Sequence, residues 1–98
     1  MGVRARLSPR AVADLDSIRD YLLPWSQRGA ENVRRAISET IALLQDFPRA
    51  GRESTISGVR VITVVRYDYL IYHKVGADEL VVLHIRHAAR RAPEEDEL

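Results

Sequence analysis

The spacing of apolar residues changes once along this chain, near Gly58, and that change restricts the fold more than any single motif. Ahead of it, Ala11, Leu15, Ile18 and Leu22 advance by four, three and four positions, and Val33, Ile37, Ile41 and Leu44 follow a similar step. Each set forms one stripe of an α-helix, because 3.6 residues per turn bring such positions onto one face. Beyond Gly58, the β-branched and aromatic runs Val59 to Val65, Tyr69 to Val75 and Glu79 to Ile85 read as strands. Arg66-Tyr67-Asp68 and Gly76-Ala77-Asp78 are short enough to make tight hairpins between them. Near the start, Val3, Ala5 and Leu7 alternate with Arg4 and Arg6, the period of two of a strand with one buried face.

The boundaries have their own chemistry. Ser8-Pro9 supplies an N-cap oxygen and then a residue with no N–H to leave unpaired. Pro24 stops the first helix, and Ser26-Gln27-Arg28-Gly29 reads as a short connector. The second helix ends within Asp46-Phe47-Pro48-Arg49-Ala50-Gly51, which opens a loop to about Gly58. Helices joined so closely pack antiparallel. The predicted fold is therefore α+β, in the order β-α-α-β-β-β. A helical hairpin between residues 8 and 47 packs on one face of a mostly antiparallel four-stranded sheet. Leu15, Ile18, Leu22, Val33, Ile37, Ile41, Val81, Leu83 and Ile85 are the expected core. Val82, His84 and Arg86 then fall on the open side of the last strand, with Arg4 and Arg6 on the matching face of the first. A sheet face that mixes arginine with apolar residues is a docking surface.

A chain of 98 residues builds one core, and the domain is expected over residues 1–93 with an acidic tail over 94–98. Without cysteine there is no disulfide framework and no thiolate metal site, which fits the cytoplasm. No stretch approaches the roughly 18 uncharged residues that a membrane span needs. The net charge of +1 conceals a segregation. Four of the fourteen acids lie in Glu94–Leu98, leaving fifteen basic against ten acidic groups on residues 1–93, a balance of +5. Fourteen of the fifteen cations are arginine, which suits planar, bidentate contacts to phosphate or carboxylate and is equally what a GC-rich genome produces.

The densest cationic cluster is His84, Arg86, His87, Arg90 and Arg91, with no acid among residues 84–93. It reads as a surface for a macromolecular target or as a solvated strand end. Two histidines there are also a conceivable acid–base pair, since imidazole titrates near neutrality. They are a poor metal site, because residues three apart on a strand point to opposite faces. Trp25, the sole tryptophan, sits beside Pro24 at a helix end, either as an exposed anchor for a partner or as a ring capping the core. Tyr67, Tyr69 and Tyr72 are able to stack bases, but their spacing and strand context assign core or sheet-face packing to at least two of them. Asp14, Asp16 and Asp20 read as a solvated face near a helix N-terminus, where negative charge is mildly favourable. The tail Glu94-Glu95-Asp96-Glu97-Leu98 is too polar to fold alone and is expected to be disordered or loosely docked, where it can fold back on the arginines.

Four stretches together resemble the RelE/ParE superfamily of toxins and lie closest to its ParE branch. They are Leu7-Ser8-Pro9-Arg10-Ala11 with Asp14-Leu15, Phe47-Pro48 with Gly51-Arg52, Tyr69-Leu70-Ile71-Tyr72, and Val82-Leu83-His84-Ile85-Arg86-His87 with Arg90. The resemblance implies the toxin of a chromosomal or plasmid-borne toxin–antitoxin pair, in the plasmid-stabilisation class. It implies a hetero-oligomer with a ParD-like antitoxin that wraps the toxin and itself binds operator DNA. RelE-like members cut messenger RNA on the ribosome, whereas ParE-like members poison DNA gyrase. Laid on the nuclease pattern, Leu70 and Ala88 fall where arginines are expected, and no tyrosine follows Tyr72. The implied activity is thus non-enzymatic gyrase inhibition, with no catalytic residue, metal or cofactor. A RelE-type ribosome-dependent endonuclease and a degenerate toxin kept as an antitoxin-binding module are the alternatives. On the ParE reading Arg86, His87, Arg90 and Arg91 meet the target, and Arg4, Arg6, Trp25, Val82 and His84 meet the antitoxin.

Overall fold

One side chain links the first strand to the first helix. Ser8 follows β1 (Arg4–Leu7) and precedes α1 (Pro9–Leu22), and its hydroxyl oxygen accepts the Ala11 amide at 3.1 Å. Ser26 does the same for α2 (Gln27–Asp46) by accepting the Gly29 amide at 2.9 Å. The stretch Ser26–Gly29 is therefore the cap and first turn of α2 rather than a connector. The computed structural model describes residues 2–98.

Four further strands follow: β2 (Arg52–Glu53), β3 (Arg60–Thr63), β4 (Tyr69–Val75) and β5 (Glu79–His87). The sheet order is β1-β5-β4-β3-β2, with β1 parallel to β5 and the other neighbours antiparallel. The sheet thus has five strands, one more than the periodicity predicts. The additional β2 pairs only Arg52 with Val61 and Glu53 with Arg60, too short a run to show a period of two. Gly51 makes this pairing possible. Its φ of +91° suits glycine, and a side chain there would collide with the Val61 carbonyl oxygen.

The helical hairpin covers one face, as the stripes predict. Ala11, Val33, Ile37 and Leu44 pack against Ile71, Leu80, Val82 and Ile85, while Leu15, Ile18, Leu22 and Ile41 are partly buried at the margin. Each fully buried leucine, isoleucine or valine of this kind contributes about 1.5–3 kcal/mol. The opposite face is not bare. Val59, Val61, Leu70 and Tyr72 form a second apolar cluster, edged by Ile56, Leu83 and Leu98.

The two faces of β5 exchange part-way along it. Tyr72 pairs with His84 but His73 pairs with Val82, so Leu83 is an extra residue, a bulge. Ahead of it Leu80 and Val82 face the helices; beyond it Ile85 does. The expectation that Val81 and Leu83 join the helix-covered core is therefore corrected, because Leu83 packs in the second cluster. The expectation of Val82 on an open face is corrected for the same reason, since Val82 is 0% exposed in the helix-side core; His84 does lie beside Tyr72 on the face away from the helices, but it is buried there rather than open.

His73, on the Ile71 side of β4, is also fully buried, and neither ring nitrogen has a hydrogen-bond partner among the described residues. Burial holds its pKa below the ordinary imidazole value, outweighing the nearby Ile71 and Pro48 backbone, which favours the charged ring, and the charge of Arg60 on β3 adds to the lowering.

Candidate functional site

β1 pairs only with Glu79 to Val82, while β5 continues to His87, so half of β5 would have a bare edge. The start of α1 takes the place of the missing strand. The Ser8 amide donates to the Val82 carbonyl at 2.9 Å, and the Ser8 hydroxyl donates to the Leu83 carbonyl at 3.0 Å. One turn on, Asp14 Oδ2 accepts the Ile85 amide at 2.9 Å and His84 Nδ1 at 2.6 Å, while Oδ1 receives Arg10 Nε at 3.2 Å. The Asp14 side chain is only 14% exposed. It is therefore not the solvated helix-face carboxylate that its neighbours Asp16 and Asp20 are. An ionised carboxylate only accepts, so His84 carries its proton on Nδ1 in this contact, leaving Nε2 as the basic nitrogen when the ring is neutral.

The end of β5 is organised by Arg86. Its Nε and Nη2 donate to the Tyr72 hydroxyl at 3.1 and 2.9 Å, and the guanidinium lies 5.6 Å from the Tyr72 ring centroid. Nη1 donates to the carbonyls of His87, Ala88 and Arg90. Only a planar fork with several donors satisfies both sides at once. His87 Nδ1 accepts the Ala89 amide at 3.0 Å, and its ring meets Tyr69 edge-on at a centroid distance of 5.2 Å. Burial pushes the Tyr69 hydroxyl above its ordinary pKa. The β3–β4 turn braces the same region. Arg66 and Asp68 both have positive φ, uncommon for residues with a side chain, and the Asp68 carbonyl accepts the Ala88 amide at 2.7 Å.

Between α1 and the end of β5 with the residues that follow it lies an open-sided groove of about 750 Å³. Arg10, Tyr21, His84, His87, Arg90 and Arg91 line it, with Asp14 and Glu97 as its acids. Arg90 and Arg91 are exposed, and the Arg90 guanidinium makes no hydrogen bond among the described residues. Arg91 pairs with Glu97 at 3.0 Å, and Arg10 Nη1 donates to the Glu97 carbonyl at 2.9 Å. The Glu97 carboxyl is held below its usual pKa by the Glu94 amide and then by Arg91. Among the described residues no group of three or more His, Asp or Glu side chains is placed to hold a metal ion. Among the same residues no helix is long and apolar enough to cross a membrane.

The sequence-derived site residues thus separate into distinct sets. Arg86, His87, Arg90 and Arg91 come together, but Arg86 faces the fold, Arg91 is exposed yet paired with Glu97, and Arg90 is the one whose guanidinium is unpaired among the described residues. Arg4 is exposed and Arg6 pairs with Glu79 at 3.1 Å, at the opposite end of β5. Seven residues of strand, roughly 23 Å, separate that end from Arg86. Trp25 is 80% exposed, which removes its alternative role as a cap on the core. Val82 is fully buried in the helix-side core, and His84 is buried in the wall of the groove. Asp14, Arg10 and Tyr72 are the site residues that sequence reasoning missed. The four-residue spacing of Arg10 and Asp14 is the one signal that pointed to them.

The family model for the ParE toxin of type II toxin–antitoxin systems, parDE, matches residues 5–92. This chain belongs to the ParE toxin family. It is 39% identical over 81 residues to Toxin RelE2 of Caulobacter vibrioides, covering 83% of this chain and 90% of that protein. Among solved structures, the toxin fold matches a chain of the chromosomal ParDE system from P. aeruginosa with a TM-score of 0.77 and 30% identity. That match covers 87% of this chain and 95% of the other. A conserved hypothetical protein from Helicobacter pylori shares the fold alone, at 18% identity and a TM-score of 0.54, over 85% of this chain and 91% of its own. The ParE-family segment, residues 5–92, takes in all of the sheet but Arg4 of β1, both helices, and both Arg90 and Arg91, and stops short of the acidic residues 94–98.

Proposed function

We propose that this ParE-family toxin inhibits DNA gyrase by binding, without bond cleavage, and that a ParD-like antitoxin neutralises it in a tight complex. The observation that carries the reading is the difference among the arginines at the end of β5. Arg86 uses its donors to build the turn, whereas Arg90 and Arg91 are exposed beside it, Arg90 with its guanidinium unpaired among the described residues and Arg91 held only by Glu97 and the Ala92 carbonyl. Exposed planar donors on a braced turn suit a carboxylate or phosphate on a large target. The matched family is that of parDE systems, and the 30%-identical structure is of a ParDE pair. On this reading Arg4, Arg6 and the exposed Trp25 contact the antitoxin, the interface buries well over ~1,000 Å² in total, and operator DNA is met only through the antitoxin. A supercoiling assay with purified gyrase tests the proposal. Inhibition by the isolated toxin, reversed by the antitoxin, is the expected result.

A second reading has one specific observation behind it. His84 has Nδ1 held by Asp14, the arrangement that orients an imidazole as a base, and it borders an arginine-lined groove. A relative named RelE2 fits that reading as well. It forecasts cleavage of messenger RNA in a translating extract, abolished by His84→Gln.

A further inference from the structure

The segment Glu94–Leu98 is docked, and the way it docks identifies the kind of ligand this surface takes. Pro93 is buried, and a 3₁₀ turn over Glu95–Glu97 follows it. The turn closes on itself, because the Glu97 carboxylate accepts the Glu94 amide at 2.8 Å. From this turn three groups reach the body. The Glu97 carboxylate meets Arg91, the Glu97 carbonyl accepts from Arg10, and Leu98 packs against the second apolar cluster of Val59, Val61, Leu70 and Tyr72. A glutamate followed directly by a leucine therefore spans an arginine pair and an apolar surface that lie side by side.

We infer that this surface, running from Arg10 and Arg91 onto the apolar cluster of Val59, Val61, Leu70 and Tyr72, is a peptide-docking site for an acidic segment carrying a leucine-like residue next to a glutamate. In the free chain, Glu94–Leu98 is its resident occupant. Charge complementarity supports the choice: residues 1–93 carry a balance of +5, and the segment holds four acids in five residues. Arg10 also bonds Asp14, so an occupant of the site is linked through one side chain to the Asp14–His84 contact. That an antitoxin supplies the displacing segment rests on the function proposed above; the docking site itself does not.

A partner of this chemistry must displace the resident segment. A segment that fills its site about nine-tenths of the time lowers the apparent affinity of a competitor about tenfold. The test uses the full chain and a synthetic peptide, Ala-Pro-Glu-Glu-Asp-Glu-Leu, titrated by calorimetry and by NMR of the arginine Nε–H groups. In the double variant Glu97→Gln/Leu98→Ser the resident segment is released. The peptide should then bind about tenfold more tightly than to the unaltered chain, with shifts at Arg10 and Arg91. Adding Arg91→Ala to that variant should remove most of the gain, and the Arg91 side chain is exposed, so the fold is not at stake. Equal affinity for the unaltered chain and the double variant, or no binding to either, would overturn the inference. Gyrase is not read in this experiment. A chain that leaves supercoiling untouched but shows the tenfold difference keeps its docking site and loses only the proposed target.

Discussion

Asp14 Oδ2 lies 2.6 Å from His84 Nδ1, and the same oxygen accepts the Ile85 amide at 2.9 Å. One carboxylate thus closes the edge of β5 where β1 has ended and fixes the ring of a buried histidine. Asp14→Ala leaves a buried amide and an imidazole N–H without acceptors, a destabilisation of about 2–4 kcal/mol. Asp14→Asn keeps a carbonyl acceptor for one of the two and should cost less. Denaturant melts of the two variants measure the difference, and an unchanged midpoint for Asp14→Ala would show that the carboxylate closes nothing.

Arg86 and its neighbours should respond in opposite ways to mutation. Arg86→Ala removes the donors that hold Tyr72 to the 87–90 turn and should destabilise the domain by about 2–3 kcal/mol. Arg86→Lys should recover little, because an ammonium cannot span the tyrosine hydroxyl and the carbonyls together. Arg90→Ala should leave the thermal midpoint within about a degree or two. A stable Arg86→Ala protein would place its guanidinium outside the fold.

The bulge at Leu83 makes a test of adjacent residues. Val82→Ala empties a fully buried position and should cost roughly 1.5–3 kcal/mol, whereas Val81→Ala, on the half-exposed side, should cost well under half of that. Equal costs would mean that β5 runs without the extra residue.

Acid should weaken the fold through His73. Its pKa is lowered in the native state, so the neutral ring is the native form and the unfolded chain binds the proton first. Stability attributable to this group is complete above the ordinary value of 6.5, falls as the pH drops below 6.5, and levels off below the lowered native pKa. Urea melts from pH 7.5 to 5 should show that decline, and His73→Leu should flatten it. A slope unchanged in His73→Leu would assign the acid sensitivity to another group.

The helices are legible in the sequence because their stripes are regular, β1 because it alternates, and β3, β4 and β5 because their β-branched and aromatic runs are bounded by turn residues. What stays hidden has physical causes. β5 reads Leu80-Val81-Val82-Leu83, apolar at both parities, so alternation alone cannot tell which pair is inside or that Leu83 is extra. β2 is two residues long and depends on the conformation of Gly51, which leaves no pattern. Asp14 resembles its neighbours Asp16 and Asp20 in the sequence because its partners, His84 and Ile85, lie 70 and 71 positions away. The arginine cluster is visible as composition. Its division into a structural Arg86 and exposed Arg90 and Arg91 depends on Tyr72 and on the turn carbonyls, which only the folded chain brings together.

The most direct test is a gyrase supercoiling assay run with the unaltered chain and with Arg90→Ala/Arg91→Ala, each first shown to be folded by its melting curve. Inhibition by the unaltered chain, weakened about tenfold or more in the double variant, is the predicted result, since removing a charge-assisted hydrogen bond costs about 1.5–3 kcal/mol. Supercoiling left untouched by an excess of the folded, unaltered toxin, together with cleavage of messenger RNA in a translating extract, would contradict it.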